Sequence, residues 1–424
     1  MKFALFLFLI IKIFCDEKKN FESIAKEKEI NNNSFTKDEM NSKRNLQNFK
    51  PIRIYIDKYY LQKANKVYTD NYDLYSTAID KVKSALEKLL EVIPEDSIDL
   101  SNINLEQYYF DTDKINPDLI SNNEFKADLV IFPREAKYQD VINKCNEKQG
   151  IIRNSTINGR PIIGYIVIKY NLLDELENND TYKIEFLSYM FLHQITHILG
   201  FSKSIIEKNV NILKKYDIII NRIDKSEVKN IAKTLISGDN IKLKMQDYFN
   251  CSTEEYIELE DNLDTECGEF IHWESRILFG DYMTGLINIQ EQVISEFTLA
   301  FLKDTGFYNV HYYTGGLMRF GIHQNCSFFT KDCNFLRAGD GKREPTFMNE
   351  FCSRKDKSTC SSSRQSRGIC DNSGSLYETA KYKRDGWENY GNAYADYCPV
   401  SFGETEAHET GATGLYSYIG NCKL

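Results

Sequence analysis

Proline and glycine are sparse in this 424-residue chain, with 7 and 22 residues. That excludes a collagen-like or low-complexity repeat. A basic excess is missing as well. Lys and Arg total 53 against 62 Asp and Glu, a formal net charge of −9. Little positive charge is left to neutralise phosphates, which argues against a nucleic-acid partner. Beyond the N-terminus, no stretch approaches the ~18 apolar residues that a bilayer requires, so no transmembrane segment is expected. What is present is ordinary for a globular protein: 42% hydrophobic and 27% charged residues. At about 150 residues per domain the length suggests two or three domains with a sizeable core.

The first residues, MKFALFLFLIIKIFC, place one Lys before an apolar run from Phe3 to Phe14 that only Lys12 interrupts. Residues 1–15 have the layout of a signal peptide cleaved near Cys15, so the protein is expected to be secreted, free or at a cell surface. The last residues, GLYSYIGNCKL, are polar and offer no hydrophobic signal for a lipid anchor. Of 11 cysteines, ten lie beyond Cys15, seven of them in the last hundred residues. In a secreted chain such a set reads as a disulfide framework of up to five bridges, and no paired C-x-x-C spacing supports a zinc finger. Acceptor sequons for N-linked sugar stand at Asn32, Asn154, Asn179, Asn250 and Asn325, which fits the same route.

Residues 16–50 are polar and charge-dense and read as a linker or short pro-segment. PIRIYIDKYYL, from Pro51, alternates like a strand. Residues 73–93 have helical spacing, whereas ADLVIFP (127–133) and PIIGYIVIKY (161–170) read as buried strands. A helix is expected from about Tyr182 to Leu199, with Asp180 and Thr181 as cap candidates and Gly200 as its terminator. Residues 203–271 look mainly helical and then acidic and loop-like, and 285–306 carry another helical pattern. No internal repeat is visible.

The informative helix ends FLHQITHILGFS. His193 and His197 are four residues apart, so both imidazoles leave one helix face. That spacing lets two neutral nitrogens bind one Zn²⁺ at about 2.0–2.1 Å, as in the zincin helix. A compact metzincin pattern would place a third His six residues later, but Lys203 stands there. His272, in EFIHWESRILFGDYMTG, is the best third ligand, and Met283 follows in a turn-like stretch. A Met beneath a three-His zinc is a metzincin mark. His311, His323 and His408 match no ligand position.

These segments resemble the leishmanolysin family of zinc metallopeptidases. The resemblance runs from about residue 50 to the end. It rests on GRPIIGYIVI, HQITHILGFS, YFNCSTEEYIELED, HWESRILFGDYMTG, ISEFTLAFLKDTGFYNV and the spaced cysteines through ADYCPV, in that order. It implies a metalloendopeptidase acting on protein or peptide substrates with one zinc ion. The implied fold class is α+β in three parts, with the zinc between the first two. An N-terminal metzincin-like domain (51–202) carries a mixed sheet and the zinc helix. A helical central domain (203–309) holds the third ligand and the Met-turn. A Cys-rich, mostly β and loop domain (310–424) follows.

One position departs from the family pattern. A zincin needs Glu after the first His, to take a proton from the attacking water and pass it to the leaving amine. This chain has Gln194. An amide can orient the water but cannot accept its proton near neutral pH. Zinc affinity should survive, because the missing Glu is not a ligand. Hydrolysis should fall by roughly 10²–10⁴-fold. Three readings follow: an impaired metallopeptidase, a pseudopeptidase that holds zinc and serves binding or cell adhesion, or a competent enzyme with a relocated base. Glu185 is two turns away from His193; Glu274, near His272, is the remaining candidate for that base.

Overall fold

A computed structural model describes residues 49–65, 71–100, 116, 124–136, 149–155, 159–169, 172–176, 178–224, 227–260, 271–285, 292–312, 318–330, 350–352, 359–364, 367–371, 392–396 and 398–403. The expected signal peptide at 1–15, nearly all of the 16–50 segment, Asn32, His408 and the cysteines at 15, 145, 267, 333 and 422 lie outside them. The described residues form two compact units. The first comprises those up to 211 together with 305–311; the second comprises 212–260, 271–304 and those from 312 onward.

The first unit is built on a four-stranded mixed sheet. Its strands are β1 (Ile54–Ile56), β2 (Leu129–Ala136), β3 (Gln149–Ser155) and β4 (Pro161–Lys169), in the order β1-β2-β4-β3. β1 and β4 both run parallel to β2, whereas β3 is antiparallel to β4. The apolar runs expected at 127–133 and 161–170 are thus strands, β-branched and buried as central strands require. Val130, Phe132, Ile163, Tyr165 and Val167 pack with Tyr60, Ile98 and Leu100 in one apolar cluster.

Two helices belong to the same unit, α1 (Tyr72–Leu89) and α2 (Asp180–Leu199). α1 buries Tyr75, Ala78, Ile79, Val82, Leu86 and Leu89, the stripe that its helical spacing marks. Tyr75 meets Phe191 of α2 edge to face, with ring centroids 6.5 Å apart. Gly164 lets α2 lie close against β4. A Cβ there would stand 2.5 Å from the Ile198 side chain, inside any real contact.

The second unit contains a long antiparallel hairpin, β5 (Leu213–Asp224) and β6 (Glu227–Ser237), extended by β7 (Ile257–Leu259). Lys203–Lys208 is helical as expected, whereas the hairpin corrects the helical expectation for residues 213–237. The β-branched run Ile218–Ile219–Ile220, answered by Val228, Ile231 and Thr234, suits extended pairing better than the helix that the intervening Lys residues suggested. Helix α3 (Asp239–Phe249) follows, and within the span 285–306 expected to be helical the described residues form a helix at Glu296–Asp304. Upstream, PIRIYIDKYYL supplies only short strands; from Tyr59 the chain is helical, to Asn65. Disulfides join Cys251 to Cys326 and Cys352 to Cys370, and Cys360 and Cys398 are also disulfide-bonded. Among the described residues no helix is long and apolar enough to cross a membrane. The chain is a disulfide-linked mixture of helices and sheets.

Candidate metal centre

The last two turns of α2 carry the candidate ligands. The helix starts at Asn179, whose side chain accepts from the Tyr182 amide at 3.2 Å; the cap thus lies one residue ahead of Asp180. It ends at Gly200, whose φ of 136° is unfavourable for any residue with a Cβ. The Phe201 amide donates back to the Thr196 carbonyl at 3.1 Å, closing the helix C-terminus. Tyr308 donates its hydroxyl to the Leu199 carbonyl at 2.9 Å, and burial pushes its phenol well above the usual range.

That turn has a chemical result. It returns the Phe201 carbonyl to 2.7 Å from His197 Nδ1. A carbonyl only accepts, so Nδ1 carries the proton and the neutral ring keeps its lone pair on Nε2. His197 Nε2 lies 3.0 Å from His193 Nε2, and both rings are buried. Two imidazole nitrogens this close, one with its tautomer fixed by a backbone partner, form the donor set that zinc favours. Gln194 stands between them in sequence. Its Oε1 is buried with no hydrogen-bond partner among the described residues. A buried amide oxygen left open costs free energy unless water or a ligand reaches it.

His272 and Met283 belong to the second unit. The Glu260 amide donates to the His272 carbonyl at 2.9 Å, and the Trp273 amide to the Met283 carbonyl at 3.0 Å. The two segments are therefore pinned side by side, with Met283 fully buried. Asp281 holds the turn. Its Oδ1 accepts from the Met283 amide at 2.6 Å, and it also accepts from Thr298 Oγ1, which in turn takes the Trp273 indole proton at 2.9 Å. Burial pushes the Asp281 carboxyl up to about 6, against the opposing effect of these donors.

A raised carboxyl pKa means that the protonated form is favoured in the folded state. The associated stability is complete below the unfolded value near 4 and is lost as pH rises through about 6. Chemical denaturation should show the stability of Asp281→Asn relative to the parent rising between pH 5 and pH 8, a swing of about 1.5 kcal/mol. An equal difference at both pH values would refute the assignment.

Sequence reading missed a buried charge cluster in the second unit. Lys233 of β6 donates to Glu274 Oε2 and, at 2.8 Å, to Asp396 Oδ1. Glu258 joins the two carboxylates in the same cluster, and all four residues are buried. Glu274 is fully enclosed. Its Oε1 accepts from the Arg276 amide at 3.0 Å and caps the short helix Ser275–Leu278. Burial, then the neighbouring Asp396, raises its pKa. Glu274 is thus occupied in holding its own segment.

Comparison with known proteins now bears on this arrangement. A family model described as leishmanolysin matches residues 112–412, more than half of the chain. A leishmanolysin-like peptidase of Drosophila melanogaster is 25% identical over 285 residues, covering 57% of this chain and 41% of that protein. One of Caenorhabditis elegans is 31% identical over 176 residues, 36% of this chain and 26% of its own length. Leishmanolysin of Leishmania amazonensis is 24% identical over 252 residues, 57% of this chain and 37% of its own length. The chain spans less than half the length of these relatives. With its paired helix histidines and buried Met283 turn, it belongs to the leishmanolysin family of zinc metallopeptidases.

Proposed function

We propose that the protein is a secreted, zinc-holding metalloendopeptidase of metzincin type whose hydrolysis of protein substrates is strongly impaired. The observation that carries this reading is the buried His193–His197 pair with an amide, Gln194, where the proton shuttle belongs. His193, His197 and His272 would hold one ion, and Met283 would underlie it. Zinc, when bound, supplies Lewis-acid polarisation of the scissile carbonyl and of the attacking water. The Phe201 carbonyl keeps the His197 lone pair on Nε2, toward the ion. The open Gln194 Oε1 can accept a hydrogen bond from the attacking water and orient it. It has no site for the proton that must move to the leaving amine.

Secretion is supported by the apolar N-terminal run and by the disulfides. The division at 1–15, 16–50, 51–202, 203–309 and 310–424 belongs to the same proposal, as does the metzincin layout of its parts. Elemental analysis tests the ligand set. Purified protein should carry close to one zinc per chain, and His197→Ala should carry none while keeping its circular dichroism. Stoichiometric zinc in that variant would remove the helix pair from the site. An adhesion or binding role with zinc kept for structure predicts the same metal content but no cleavage, even with a restored carboxylate.

A further inference from the structure

Two of the five sequons share a feature absent from the others. Asn250–Cys251–Ser252 and Asn325–Cys326–Ser327 both have Cys in the middle, and these two cysteines are bonded to each other. The two asparagines are neighbours in space. Asn250 ends α3 in the left-handed region, at φ 54° and ψ 47°, and Asn325 has φ 63°. The Asn325 amide donates to the Phe249 carbonyl at 2.8 Å, and the His323 amide to that of Tyr248 at 2.9 Å. Asn250 Nδ2 donates to Asn325 Oδ1 at 3.1 Å, and both residues are exposed. Beneath them Phe249 packs on Phe328 and Phe329, with ring centroids 5.8 and 4.8 Å away.

We propose that Asn250 and Asn325 form one paired N-glycan attachment site whose filling is timed by the Cys251–Cys326 bond. The proposal rests on the secretory reading above. In the transfer, Asn Nδ2 attacks the anomeric carbon of a polyprenyl-diphosphate-linked oligosaccharide. The C–N bond forms, the C–O bond to the diphosphate breaks, the lipid diphosphate leaves and a base of the transferase takes one amide proton. The transferase must draw Asn and the Ser two residues on into its own site, which requires a loose chain. Closure of the disulfide ends that freedom. Two thiols are oxidised, an oxidised thiol–disulfide exchange catalyst of the secretory lumen is reduced, and both asparagines become fixed in the turn. Sugar attached before closure is compatible with the finished turn, because Asn250 Nδ2 uses only one of its two hydrogens to reach Asn325.

Chain order makes the pair unequal. The cysteines are 75 residues apart, about 4–15 s of synthesis at 5–20 residues per second. Throughout that interval Asn250 is available and Cys251 lacks its native partner. Asn325 emerges beside Cys326 when Cys251 is already waiting. Asn250 should therefore be filled on most chains and Asn325 on a minority.

The full chain, translated into microsomes, allows both sites to be read by glycosidase release in H₂¹⁸O and mass spectrometry, without dependence on final folding. Cys251→Ser leaves the Asn325 sequon untouched and should raise its occupancy at least two-fold. Cys326→Ser destroys the same bond but should leave Asn250 occupancy unchanged. Asn325 occupancy indifferent to Cys251→Ser overturns the proposal. So does sugar at Asn154 or Asn179 with none at Asn250 and Asn325, an outcome that leaves secretory entry intact. Sugar at no sequon would overturn the secretory reading and this proposal together.

Discussion

Gln194→Glu is expected to raise the peptide-cleavage rate of the zinc-loaded protein by roughly 10²–10⁴-fold, the usual worth of a positioned general base. That factor corresponds to about 3–5 kcal/mol of barrier. The exchange is close to isosteric, and Gln194 Oε1 is buried without a partner among the described residues, so the new carboxylate replaces no existing contact of that oxygen. Zinc content should not change. Rates on a quenched fluorescent peptide, with matched zinc loading, make the comparison. Equal and substantial cleavage by both forms would show that another base operates. The nearest sequence candidate is poorly placed for that work, since Glu274 is buried, caps a helix and receives Lys233. No cleavage by either form would favour a binding protein.

The second large effect concerns stability. Lys233→Met should destabilise the protein by about 3–5 kcal/mol, because Glu274 and Asp396 would lose the ammonium that both contact in the interior. The loss reflects uncompensated buried charge more than the worth of the original pairs. Glu274→Gln keeps an acceptor for the Arg276 amide and removes one of those charges. The double variant should therefore be more stable than Lys233→Met alone, as chemical denaturation would show. Simple additivity of the two losses would argue against a shared cluster.

The parts legible in the sequence were local. An i,i+4 pair of histidines and a terminal glycine mark α2 well, and its end at Leu199 agrees with the pattern; only the cap moved, to Asn179. The β-branched runs gave β2 and β4 for the same reason. Misreadings arose where charged residues interrupted an apolar run. NILKKYDIII looks amphipathic, yet Leu213–Asp224 pairs with Glu227–Ser237 across a two-residue gap. What escaped altogether depends on distant partners. Lys233 finds Glu274 and Asp396 at separations of 41 and 163 residues, which no local spacing can reveal. The Phe201 carbonyl on His197 was likewise hidden, although Gly200, which makes the return turn, was visible.

X-ray absorption at the zinc edge tests the three-imidazole centre most directly. The account predicts outer-shell scattering from three imidazoles, with first-shell bonds of about 2.0–2.1 Å. In His272→Ala that count should fall to two, with weaker zinc binding. A spectrum that stays the same when residue 272 is replaced would contradict it.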